Sequence, residues 1–212
     1  MNAPGTAAWF GDRAVMVTLN EPDQRGAVAS SLARALPTLD VRAGMQTVLV
    51  ESAEPDPALL ASVADSLGAF TPGTSAARKE PRTVGIAVEY DGPDLDAVAR
   101  AFGCSTSEVI AAHVGQVWSV AMMGFAPGFG YLVPTGAPLL DWGALARRDR
   151  PRARVRAGSV AVAAGMSAVY PSTMPGGWHV IGVTHAPLFD ASDERAPSLL
   201  LPGDLVRFTA AA

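Results

Sequence analysis

Cysteine is almost missing from this sequence. Cys104 is the only one in 212 residues, so neither an intrachain disulfide nor a cysteine metal cluster can form, and a buried thiol is the plain reading. Lysine is equally scarce. Lys79 stands alone against fifteen arginines, which removes a P-loop lysine and argues against Schiff-base chemistry. No apolar run reaches the ~18 residues of a membrane span, so a soluble chain with no membrane partner is expected, although 49% of residues are hydrophobic. Basic charge does not dominate either: a net charge of −4 and a pI near 5.3 argue against nucleic acid as a partner. Met1 to Trp9 lacks the basic and apolar regions of a secretory signal, and a cytoplasmic location is expected. There is no G-x-S-x-G elbow and no H-E-x-x-H, and His113, His179 and His185 are not spaced as a ligand set. A metal site and a self-contained serine or zinc hydrolase are therefore not expected.

What is present divides into two parts. Asp12 to Leu19 and Met45 to Glu51 read as strands, and Pro22 to Leu36 and Pro57 to about Leu67 read as helices. Strand, helix, strand, helix suggests a small α/β sandwich over residues 1–75. Thr71 to Pro81, which holds Lys79, has the Pro, Gly, Ser and Ala content of a linker. A second domain, 82–212, opens with the alternating strand Thr83 to Tyr90 and a turn at Asp91-Gly92-Pro93. Leu95, Val98, Ala99 and Phe102 follow helical spacing, and Gly103 stands at a left-handed C-cap. Ser105 and Glu108 form a capping box ahead of a second helix carrying His113. From Val117 onward, short strands and Gly/Pro turns favour a β-barrel or sandwich over a parallel sheet. The fold class is thus α+β.

Three constellations carry possible chemistry. The first is Gly124-Phe125-Ala126-Pro127-Gly128-Phe129-Gly130-Tyr131, where glycines can expose backbone amides to an anion and alternating rings can wall a pocket. A tight hairpin with core-filling aromatics is the plainer alternative. The second runs from Tyr170-Pro171 to Pro175-Gly176-Gly177-Trp178-His179, with Pro175-Gly176 suited to the centre of a type II turn. Tyr170 and Trp178 there could line a ligand or fill a core. The third is the arginine-rich segment from Arg147 to Ser159, in which period 2 places Arg150, Arg152, Arg154 and Arg156 on one face of an extended chain. Guanidinium forks suit carboxylate or phosphate oxygens, while a charged edge strand that resists aggregation is the alternative. His113 can be read as a general base or as a hydrogen-bonded core histidine.

Taken in order, Gly11-Asp12-Arg13-Ala14, Gly92-Pro93-Asp94-Leu95, His113, the Gly124 to Leu132 segment, Arg154 to Val160, and Tyr170-Pro171 through Trp178 resemble the family of 5-oxoprolinase B subunits and of allophanate hydrolase subunit 1. Pro202-Gly203-Asp204, Val206 and Phe208 are similar to the family's closing strand, so the resemblance runs from about residue 9 to Phe208. It implies a small N-terminal α/β domain and a cyclophilin-like β-barrel, without implying prolyl isomerase activity. The chain departs from the family pattern in three places. Ala164-Gly165-Met166 replaces Gly-Gly-Gln, Arg156 replaces a proline, and Gly130 precedes Tyr131 where proline is usual.

The resemblance further implies one subunit of an ATP-dependent amide or lactam hydrolase, with ATP as co-substrate, accompanied by magnesium, and 5-oxoproline or a similar small amide as substrate. The partners would be a paralogous second subunit, like the C-type subunit of 5-oxoprolinase or allophanate hydrolase subunit 2, and a third of the A type. On this view Arg152 and Arg154 contact an anion, and Phe125, Pro127, Phe129, Tyr131, Tyr170, Gly176 and Trp178 shape the pocket. Gly128 and Ser159 supply donors, and His113 is the acid/base. The three constellations are expected to meet at a common mouth of the barrel. A non-catalytic binding module, such as a kinase inhibitor, and a carboxyltransferase component of a urea carboxylase-like system are the alternatives.

Overall fold

The computed structural model describes residues 3–71 and 81–211, so Lys79 and most of the expected linker lie outside the described residues. The chain forms two compact units, Met1–Glu80 and Pro81–Ala212. In the first, β1 (Gly5–Phe10), β2 (Ala14–Leu19), α1 (Arg25–Ala35), β3 (Asp40–Ala43), β4 (Thr47–Glu51) and α2 (Leu59–Gly68) follow in order. The four strands make an antiparallel sheet in the order β1-β2-β4-β3. Val15, Val17, Val48 and Val50, at alternate positions of the two central strands, pack with Val28 and Leu32 of α1 and with Leu59, Val63 and Leu67 of α2. Two strands are thus added to the expected pattern. The sequence GTAAWF of β1 does not alternate, and β3 has only four residues, so neither carries a period-2 signal.

The second unit contains β5 (Thr83–Val88), α3 (Leu95–Phe102), α4 (Thr106–Gly115), β6 (Val117–Met123), β7 (Gly130–Pro134), β8 (Arg152–Val155), β9 (Ser159–Ala163), β10 (Met166–Val169), β11 (Met174–Gly176), β12 (His179–Val183) and β13 (Leu205–Ala210). Gly103 ends α3 with φ +65, and Ser105 and Glu108 close both halves of the capping box ahead of α4. Seven strands form one sheet in the order β12-β9-β10-β7-β6-β13-β5. Its two edges meet through a bridge between Glu89 and Val183, which exchange both backbone hydrogen bonds at 2.8 Å. The sheet is therefore a nearly closed barrel. β8 and β11 form a separate two-stranded ribbon.

Period 2 gives β9 and β10 two different buried faces. Val160, Val162 and Val169 face the main core with Trp118, Leu132, Ile181 and Phe208, where Leu95, Val98 and Val109 of the two helices also pack. All seven strands contribute to that cluster, which marks it as the barrel interior. Ala161, Ala163 and Ala168 face the other way, into a second cluster with Phe129, Val155, Tyr170, Trp178 and Val180.

Candidate functional site

The second cluster is where the three constellations meet. Phe129, only 2% exposed, lies at its centre. Its ring makes edge-on contacts with Phe125 at 5.3 Å, Tyr131 at 5.0 Å, Tyr170 at 5.4 Å and Trp178 at 6.1 Å between centroids. Such pairs add to the roughly 1.5–3 kcal/mol that burying one large apolar side chain contributes. Two glycines make the arrangement possible. Gly128 has φ +80, and a side chain there would come within 2.8 Å of the Leu188 carbonyl oxygen. A Cβ at Gly176 would sit 2.2 Å from the Tyr170 hydroxyl.

Gly176 corrects the type II turn read from the sequence. Positive φ is found at Gly128, Gly158 and Gly165 but not at Gly176. Met174 to Gly176 is instead a strand, with Met174 opposite Val155 and Gly176 opposite Arg152, separated by a register shift. The small residue serves a close approach to Tyr170. Its phenol accepts the Trp178 amide, and burial raises it above its ordinary pKa against the opposing pull of that amide and of Arg147.

The arginine ladder is divided among several tasks. The Arg147 guanidinium carbon lies 6.0 Å from the Trp178 ring centroid. Arg152 donates to both oxygens of Asp94, at 2.7 and 2.9 Å, and Arg148 donates to the same carboxylate at 2.5 Å. The Val180 amide adds a fourth bond at 2.8 Å. Burial of Asp94, 3% exposed, would raise its pKa, but the Arg152 hydrogen bonds, the Val180 amide and the two positive charges outweigh it and hold the carboxyl below its ordinary range. Arg152 is thus engaged by the protein itself, contrary to its expected role as a ligand contact. Asp94, at the start of α3, fastens the β8–β11 ribbon to β12. The Arg154 side chain is exposed and makes no hydrogen bond or ion pair among the described residues.

Asp94, Arg147 and Arg148 were not singled out from the sequence as site residues. A usable signal existed, because one acidic residue in a Gly-Pro-Asp turn, paired with an arginine run on an acidic chain, implies a buried partner for some of those arginines.

His113 stands apart from this site, and the expectation of an acid/base role is corrected on geometry. It is fully buried in the barrel interior, stacked at 4.4 Å on Phe208 and 5.2 Å from Trp118. Its Nδ1 meets the Tyr90 hydroxyl at 2.7 Å and its Nε2 meets Ser167 Oγ at 2.9 Å. Both nitrogens are occupied, and burial lowers the pKa to about 3, which fits a neutral structural imidazole. Tyr90 is likewise raised by burial.

Ser159 is buried, and its backbone already bonds Arg156 and Tyr170, leaving the hydroxyl as its remaining donor. Pro127 is exposed beside the ring cluster, while Met166, at one of the departures from the family pattern, packs against it. The constellations therefore converge on the outer face of β9, β10 and β12 rather than at a mouth of the barrel.

An open depression of about 330 Å³ lies within the first unit, lined by Trp9, Gly11, Asp12, Pro55, Asp56 and Pro57. Its charged lining residues are both carboxylates, which disfavour an anion, whereas the ring cluster carries Arg147. Among the described residues no group of three or more His, Cys, Asp or Glu is placed to hold a metal ion, and no helix is long and apolar enough to cross a membrane.

Known proteins share this arrangement of segments. Residues 6–200 match the family described as carboxyltransferase domain, subdomain C and D. The 5-oxoprolinase B subunit of Escherichia coli O157:H7 is 38% identical over 169 residues, covering 78% of this chain and 74% of the relative. The Bacillus subtilis protein of the same name is 42% identical over 130 residues, 60% of this chain and 52% of the relative. Among solved structures, TTHA0988 superposes with a TM-score of 0.77 at 33% identity, covering 94% of this chain and 40% of that longer chain. The urea amidolyase of Kluyveromyces lactis, 16% identical with a TM-score of 0.74, covers 98% of this chain and 15% of its own length, and shares the fold alone. The chain belongs to the carboxyltransferase-domain family, subdomains C and D, together with the B subunits of 5-oxoprolinase.

Proposed function

We propose that this chain is the B-type subunit of an ATP-dependent amide or lactam hydrolase acting on 5-oxoproline or a similar small amide. The observation that carries the reading is the joint placement of a cation over an aromatic cluster, Arg147 on Trp178 beside Phe129 and Tyr131, in a relative of the 5-oxoprolinase B subunits. An apolar wall with a guanidinium at its edge suits a compact ring bearing a carboxylate.

Opening an unactivated lactam needs a driving force. Transfer of the ATP γ-phosphoryl group to the carbonyl oxygen supplies it; water then adds at that carbon, and the ring C–N bond breaks with nitrogen keeping the electron pair and taking a proton. A second water releases phosphate. In this scheme Arg147 and Arg154 hold negative charge, and the rings exclude water. His113 takes no part in it. Magnesium accompanying ATP would be carried largely by the phosphates themselves and needs only one or two carboxylates from the assembled complex.

In this reading the enzyme is completed by a paralogous C-type subunit, together with a third of the A type, in the cytoplasm. The assembled complex is expected to release phosphate from ATP only when 5-oxoproline or a related amide is present. Equal phosphate release with and without every such amide would overturn the proposal.

A further inference from the structure

Phe125 is held in a backbone conformation that its own side chain disfavours. Its φ is +70, and the Ala126 amide donates to the Gly124 carbonyl at 2.8 Å, which makes Phe125 the central residue of a three-residue turn of the rare, strained kind. Among the described residues the other non-glycine with positive φ is Ala164. It sits beside Gly165, φ +81, in the β9–β10 hairpin, where two successive positive φ values match the twist of the strands. No hairpin twist accounts for Phe125.

The strain also does little for packing. The ring is 62% exposed and makes one ring contact, edge-on with Phe129. The loop itself is firmly closed: Gly124 donates to the Phe129 carbonyl at 3.1 Å and Phe129 to the Ala126 carbonyl at 3.0 Å. A glycine at 125 would satisfy the same turn at lower cost. An aromatic ring kept at solvent on a strained backbone, at the end of a chain of contacts through Phe129 and Trp178 to the Arg147 cation, points to something outside the fold that the ring meets.

We propose that Phe125 is a ligand-binding residue whose ring covers the apolar body of a small anionic ligand while Arg147 holds its charge. This assignment rests on the proposed function for the identity of the ligand, but its logic is separable from turnover. Phe125→Gly and Phe125→Ala both remove the ring, and only the glycine variant relieves the turn.

The test measures melting of the purified chain, and binding of 5-oxoproline and of uncharged 2-pyrrolidinone to the assembled complex by calorimetry. Phe125→Gly should melt roughly 2–5 °C above Phe125→Ala. Both variants should keep the complex intact and weaken the two ligands by the same factor, on the order of tenfold, and Phe125→Tyr should restore binding. Arg147→Ala should weaken 5-oxoproline alone.

Unchanged binding in both variants, loss of the assembled complex, equal melting of the two variants, or a wild-type complex that binds neither ligand would each overturn the assignment. A wild-type complex that binds 5-oxoproline without hydrolysing ATP would remove the proposed function and leave the role of Phe125 standing.

Discussion

The two faces of β9 and β10 carry polar groups of opposite kinds. On the inner face, Ser167 meets His113, whose other nitrogen meets Tyr90, and the rings of Trp118, Trp142 and Phe208 pack around the imidazole so that the polar atoms satisfy one another. On the outer face, Ala161 and Ala168 back a cluster of rings whose edge carries Arg147 and Phe125, both exposed. The same strands thus separate a sealed network from an open one. A titratable group on the sealed side serves the fold, whereas a charge or ring left unfinished on the open side is available to a ligand.

The largest blow to this division should come from Phe129→Ala. It removes the ring that four others contact, and a loss of about 3–5 kcal/mol is expected in urea melts. A loss below about 1 kcal/mol would show that the outer cluster is not cohesive. Asp94→Ala comes next. It strands two guanidinium groups, and because these are 28–30% exposed the cost should lie at the low end of the usual range, about 3 kcal/mol. Asp94→Asn, which keeps one acceptor, should cost less.

Acid acts on the two faces in the same direction but reaches the inner one first, because His113 responds at a higher pH than the Asp94 carboxylate. The folded pKa of His113 lies near 3, below the unfolded value of about 6.5, so the unfolded chain takes the proton first as pH falls. Its contribution is complete above pH 6.5 and is lost going down toward pH 3, at up to about 1.4 kcal/mol per pH unit. Between pH 6.5 and 5, above the carboxylate range, His113→Gln should flatten that slope. An unchanged slope would mean that the imidazole is not neutral in the fold.

Legibility in the sequence followed local chemistry. Gly103 and the Ser105–Glu108 box were readable because capping depends on neighbouring residues, and the turn-rich run after Val117 spoke for β structure. The short edge strands β1 and β3 carried no alternation. β9 was harder in a different way: Ser-Val-Ala-Val-Ala is buried at every position, so nothing in it says which face turns inward. That ambiguity hid the sorting of His113 from the ring cluster. Pro175-Gly176 misled because glycine answers to steric room as well as to positive φ, and the room was demanded by Tyr170, several residues earlier in the chain. The partner of Arg148 and Arg152 lies more than fifty residues away at Asp94, beyond any local pattern.

The smallest structural change should produce the clearest functional one. Arg147→Ala removes an exposed side chain whose contact is with the face of Trp178, so melting should shift by no more than about 0.5 kcal/mol. If the open face holds the ligand, 5-oxoproline-stimulated phosphate release by the complex should fall at least about tenfold in kcat/KM. Wild-type turnover in this variant, with the complex intact, would contradict the claim that the outer face of the barrel is the ligand site.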